Sequence, residues 1–182
     1  MDPLIPTSVM HTYFVLGDYQ RALESSGSDY GYGMGLVLAM LGRVGEAVST
    51  LRQRELAKPW RLGKLYLTSL RTLLEGNREE SIAVSDELIQ ATFRDPEGMY
   101  YLARQLGYLG EETRALDMLS RAIDNGFFCH QTMLRDLWLD ALRGRNEFTA
   151  LLNKALQLHR EASTAFLAGG GASLLGIRSE SY

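Results

Sequence analysis

Residues 99–122 read MYYLARQLGYLGEETRALDMLSRA, and this stretch decides the fold. Its second half sets Ala115, Leu116, Met118, Leu119 and Ala122, followed by Ile123, on one face at helical spacing. Its first half, Met99 to Leu109, is apolar and long enough for three helical turns. Gly110 stands between the halves, where the chain must leave one helix through a conformation that glycine adopts without strain. Two helices joined by a glycine turn are expected.

Outward from this stretch the same layout returns. Gly42, Gly76, Gly110 and Gly144 stand 34 residues apart. The chain holds 18 glycines among 182 residues, so the spacing alone is weak and the flanking columns must decide. Five residues after each glycine stand Ala47, Ser81, Ala115 and Thr149, all small. Ten before stand Tyr32, Tyr66 and Tyr100, with Leu134 in the last copy. Seven before stand Gly35, Ser69 and Ala103, small again, until Leu137 breaks the column. Small residues at facing positions let two helices approach toward the lower end of the usual 8–10 Å. One helical pair cannot bury both of its faces, so copies must stack. The chain is read as all-α, an α-solenoid of four to five antiparallel helix pairs.

Local signals support the helix limits. Asn77 with Glu80 reads as an N-cap pair, and Asp95-Pro96-Glu97 as a cap, a first-turn proline and a favourable early acid. Pro59 separates two helical stretches. An earlier copy carries Gly17 and Ala22 in the same layout, but Gly17 to Gly42 spans only 25 residues, so its second helix must be short. The loop Ser25 to Gly33 accounts for the shortening. At the other end, Asn146 to Phe166 reads as one long amphipathic capping helix. Gly169 to Gly171 then allow a reversal, and Leu174, Leu175 and Ile177 form an apolar hook expected to cover the last flank. The copies span about 8–27, 28–61, 62–95, 96–129 and 130–163 within a repeat domain 1–166, followed by a glycine-rich tail or hook 167–182.

These residues resemble the tetratricopeptide repeat family, whose unit is a 34-residue helix-turn-helix. Met99 stands for the family's usual tryptophan and Ala103 for its small residue after leucine, while Ala115 and Ala122 match. Met34-Gly35, Gly42, Ala47 and Pro59 carry the match in the second copy, Gly76 and Ser81 in the third, where Leu88 replaces a small residue. The resemblance covers about residues 8 to 163 and implies a right-handed superhelix with a concave binding surface. The block Asp136-Leu137-Trp138-Leu139-Asp140-Ala141-Leu142-Arg143 is similar to the closing repeat of large bacterial regulators, which usually reads D-P-W-L-D-P-L-R; Leu137 and Ala141 replace its prolines. Glu147-Phe148, Leu151-Leu152, Phe166, Gly169-Gly170 and Leu174-Leu175-Gly176 extend that similarity. Such regulators join a serine/threonine kinase or winged-helix DNA-binding domain to a repeat array. No kinase signature occurs here.

Composition narrows the function. Apolar residues make up 46% and charged residues 23%, as in ordinary globular domains. Nineteen basic against 22 acidic side chains leave a net charge of −3, without the basic footprint of a nucleic-acid or anionic-membrane binder. The lone Cys129 cannot form an internal disulfide, and Met1-Asp2-Pro3 opens no signal-peptide pattern, so a cytoplasmic protein is expected. His11, His130 and His159 lie in different copies without ligand spacing, and neither metal nor cofactor is expected. Cys129, His130 and Asp136 are imaginable as nucleophile, base and orienter, but adjacent helical side chains point about 100° apart, which favours a structural cysteine. Gly31-Tyr32-Gly33-Met34-Gly35 lacks the preceding strand and following lysine of a phosphate loop and reads as a flexible start of a helix. Leu70-Arg71-Thr72-Leu73-Leu74 matches a docking pattern, but its leucines are expected in the core.

One constellation remains. Tyr32, Tyr66 and Tyr100, with Arg104 one turn later, are assigned by the resemblance to the concave surface. Tyrosines there offer rigid apolar area with hydroxyls to spare, suited to an extended peptide or a partner helix. The alternative is that they seal neighbouring helices against one another. The expected function is a non-enzymatic protein-interaction scaffold; the rival is a ligand-sensing array, which needs a pocket of several hundred Å3 with convergent polar groups. Protein or peptide partners are expected, with neither nucleic acid nor membrane, and homodimer formation is left open.

Overall fold

The computed structural model of the chain describes residues 9–26, 31–57, 60–91, 95–174 and 176. Among them there are helices and turns and no strand. The order is α1 (Val9–Leu16), α2 (Tyr19–Glu24), α3 (Gly31–Met40), α4 (Val44–Leu56), α5 (Arg61–Leu74), α6 (Arg78–Gln90), α7 (Pro96–Tyr108), α8 (Glu112–Asp124) and α9 (His130–Arg135). A 3-10 helix (Leu137–Leu142), α10 (Asn146–Ala168) and α11 (Gly171–Leu174) complete it. Successive helices pack as pairs, α1 on α2, α3 on α4, α5 on α6 and α7 on α8.

The pairs share one turn. Gly17, Gly42, Gly76 and Gly110 have φ of 79°, 75°, 78° and 77°. In each, the glycine N–H reaches back three residues and the next N–H five, as in Gly110 to Gly107 O and Glu111 to Leu106 O. This Schellman arrangement satisfies carbonyls that the ending helix leaves open. The next helix is capped where the sequence predicts: Asn77 accepts from the Glu80 N–H, and Asp95 from the Glu97 N–H with Pro96 in the first turn. Pro59 lies outside the described residues.

Packing follows the small-residue columns. Ala22, Ala47, Ser81 and Ala115 are fully buried. Across the pairs, the Ser81 hydroxyl donates to the Ser69 carbonyl at 3.0 Å, and a Cβ on Gly35 would come within 2.7 Å of a Leu51 methyl. Leu70 and Leu73 are buried, so the docking-like leucine pattern belongs to the core. Each such side chain contributes roughly 1.5–3 kcal/mol when taken fully out of water.

The last copy departs from the period. Gly144 is not left-handed, and Thr149 is exposed while its neighbour Phe148 is buried. Leu134 and Leu137 are also exposed. The cause is Asp136. Its backbone is extended (φ −70°, ψ 113°), and its carboxylate caps the 3-10 helix by accepting the Trp138 N–H at 3.0 Å. The expected first helix is thereby broken in two, and every later position shifts.

Three further expectations are corrected in detail. The loop Ser25 to Gly33 ends sooner, because α3 already begins at Gly31. The long helix runs 23 residues to Ala168, beyond the expected domain limit at 166. The hook does not cover its flank where it is described: Leu174 is 85% exposed and Phe166 and Leu167 remain open, although Gly171 packs on the Phe166 ring. Leu175 and Ile177 lie outside the described residues. No described helix is long and apolar enough to cross a membrane.

Contacts also join distant copies. α1 packs on α9, and the Thr132 hydroxyl donates to the Val15 carbonyl at 2.8 Å across 117 residues. The Phe14 ring stands edge-on to Tyr101 at 5.9 Å. The first copy thus closes onto α7 and α9, which an open stack of copies touching only their neighbours would not do.

Candidate functional site: a tyrosine-lined cleft

Closure of α1 and α3 against α7 divides the predicted concave constellation in two. Tyr32 and Tyr66 meet at 5.3 Å between ring centres with planes at 77°. Both line a cleft of about 650 Å3 formed by α1, α3, the end of α4, α5 and the start of α7. Tyr100 and Arg104 do not line it. They are fully buried and committed to Asp136.

That inner network fixes both residues. The Tyr100 hydroxyl donates to Asp136 Oδ2 at 2.6 Å, and its ring stacks on Phe127 at 4.5 Å. The Arg104 guanidinium lies 4.3 Å above Trp138 and 5.3 Å above Phe14. Burial opposes the Asp136 charge, but the Arg104 charge and the bonds from Arg104, Tyr100 and the Trp138 N–H outweigh it, so its pKa lies below the ordinary value. A partner binding an open groove cannot reach either side chain without unfolding this network.

Tyr101 takes the place assigned to Tyr100. Its ring stands 5.7 Å from Tyr32, and its hydroxyl donates to Glu97 one turn earlier. The sequence signal was the Tyr100-Tyr101 doublet: neighbours on a helix point about 100° apart, so one serves the inner network and the other the cleft. The 34-residue column alone selects the wrong member. Deeper in, Gln105 donates to the Tyr32 hydroxyl at 2.5 Å. Burial pushes the phenols of Tyr32, Tyr66 and Tyr101 upward, so all three stay protonated and neutral.

Glycines make the room. Gly31, Gly33, Gly63 and Gly98 line the cleft. A Cβ on Gly31 would overlap the Arg54 stem, one on Gly33 would overlap Met10, and one on Gly63 would come within 2.9 Å of the Trp60 indole nitrogen. The Gly31–Gly35 run is therefore a close-approach surface inside α3 rather than a loose start. Trp60, two-thirds exposed, stands at the mouth. His11, Arg54, Asp95 and Glu97 add polar groups to the lining.

Elsewhere the candidate chemistry dissolves. Asp136 is held by Arg104 and cannot orient His130. Burial, with the nearby Glu97 charge, pushes the Cys129 thiol up, the opposite of an activated nucleophile. Among the described residues no group of three His, Cys, Asp or Glu side chains is placed to hold a metal ion. No protein-family model, curated protein or solved structure matches the chain.

Proposed function

We propose that this chain is a non-enzymatic recognition module: a right-handed α-solenoid of four to five tetratricopeptide-like copies that binds a peptide segment of a partner protein, within a larger bacterial cytoplasmic regulator. The observation that carries the reading is the cleft, whose walls of Tyr32, Tyr66 and Tyr101 and exposed Trp60 combine rigid aromatic area with polar tips. Its volume of about 650 Å3 takes a few side chains of an extended segment rather than a whole helix. The ligand-sensing alternative draws on the same volume, which lies in the range of small-molecule sites, and on the polar groups that α1, α4 and α7 bring to it.

Peptide selection from a displayed random library tests the reading. Selected peptides are expected to lose at least tenfold in affinity for Trp60→Ala and for Ala57→Trp, which fills the cleft from an exposed position. Unchanged affinity in both variants, with the helical circular dichroism intact, overturns it. Stabilisation of the protein by small molecules in a thermal screen, with no peptide selected, moves the assignment to ligand sensing.

A further inference from the structure

Two carboxylates share the cleft with four aromatic side chains. Asp95 caps α7, and among the described residues its side chain accepts from a neutral donor, the Glu97 N–H at 3.1 Å. Glu97 accepts from the Tyr101 hydroxyl, again neutral. Neither carboxylate forms an ion pair among the described residues. Other described acids without an ion pair, such as Glu79, Glu80 and Asp117, are exposed on the surface, whereas these two line the cleft. The rings beside them differ in direction: Tyr32 is set at 77° to Tyr66 and at 51° to Tyr101. Packed on one another in this way, the rings form one continuous aromatic wall of the cleft. Aromatic π density and a carboxylate both attract positive charge.

Among the described lining residues the competing charge is Arg54. It lines the cleft from the end of α4, with its stem lying on Gly31. Among the described lining residues the carboxylates of Asp95 and Glu97 outnumber the one guanidinium, Arg54. A neutral guest would bring no countercharge to the two carboxylates, and an anionic guest would oppose them. A cationic guest gains from both the rings and the acids. The chain already builds this combination once in its interior, where Arg104 sits between Asp136 and the rings of Phe14 and Trp138.

We infer that the cleft recognises a peptide segment through a basic side chain, whose cationic head lies against the cleft wall formed by Tyr32, Tyr66 and Tyr101 and is met by Asp95 and Glu97. This deepens the proposed function and rests on it. Specificity comes from charge, and the aromatic walls hold the aliphatic stem.

The test uses the full chain and three blocked pentapeptides, acetyl-Ala-Ala-X-Ala-Ala-amide, with X as lysine, norleucine or glutamate, titrated and followed by amide chemical shifts. The lysine peptide is expected to bind at least tenfold more tightly than its norleucine isostere. Asp95→Asn with Glu97→Gln is expected to erase that preference. Both substitutions keep the cap and the Tyr101 acceptor, so the fold is retained. Equal binding of lysine and norleucine peptides overturns the cationic assignment while leaving the cleft a peptide site. Preference for the glutamate peptide overturns it in favour of Arg54. Failure of all three peptides overturns both readings, and binding of choline alone assigns the cleft to a small cation.

Discussion

Arg104 holds both oxygens of Asp136, through Nε to Oδ2 at 2.6 Å and Nη2 to Oδ1 at 3.1 Å. Both side chains are almost wholly buried, 1% and 4% exposed. Burying two charges is expensive, and the two-point geometry, the Tyr100 hydroxyl and the Trp138 N–H are what offset it. The pair ties α7 to the break after α9, so it sets where the last copy loses the period.

Removing one partner strands the other charge. Asp136→Asn keeps the acceptor for Trp138 but leaves Arg104 uncompensated, and should cost about 3–5 kcal/mol in urea unfolding. Asp136→Asn combined with Arg104→Met should be more stable than Asp136→Asn alone. If the double variant is the weaker, the pair is held for its bonds and not against its charge.

The same pair predicts an acid limb. Because the folded pKa of Asp136 is depressed, its contribution is complete above the unfolded value of about 3.9 and fades as the pH falls through the lower folded value. Arg104 stays charged throughout. Urea midpoints measured from pH 7 down to pH 2 should fall more steeply for the native chain than for the Asp136→Asn, Arg104→Met variant. Parallel curves would show that the acid sensitivity resides elsewhere.

Ala115 and Thr149 occupy the same column in sequence and opposite environments in space. Ala115→Leu should destabilise by roughly 1–3 kcal/mol, since it overpacks a fully buried contact between α7 and α8. Thr149→Leu, on the exposed side of α10, should stay within about 0.5 kcal/mol. Equal costs would mean that the last copy keeps the period after all.

Closure between the ends of the chain is tested at Phe14. It is 4% exposed and touches Tyr101 and Arg104, and Phe14→Ala should cost about 3–5 kcal/mol. Amide exchange should quicken in α9 as well as in α1 and α2, because α1 packs on α9. Acceleration confined to residues 9–24 would describe an array in which each copy feels only its neighbours.

Much of the cleft was legible as residue types. Tyr32 and Tyr66, singled out by their column, both line the cleft, and Asp95 and Glu97 were visible as the cap and first-turn acid of α7. What they jointly enclose was not legible. Tyr101 was hidden behind Tyr100, and Trp60 and Arg54 lie outside every column, because the cavity gathers from five helices what the sequence spreads from His11 to Tyr101.

By itself the sequence determined the helices, their glycine turns and their small-residue contacts, all properties of residues a few positions apart. A left-handed φ at Gly76 or a cap at Asn77 needs no distant partner. Only the tertiary structure decided which members of those helices are buried, paired or open. Arg104 meets Asp136 across 32 residues, Gln105 meets Tyr32 across 73, and Thr132 meets Val15 across 117. Each depends on how the copies rotate against one another and on the shortened first copy, and a 34-residue column records neither. A repeat fixes what lies beside each helix, whereas closure fixes what lies opposite it.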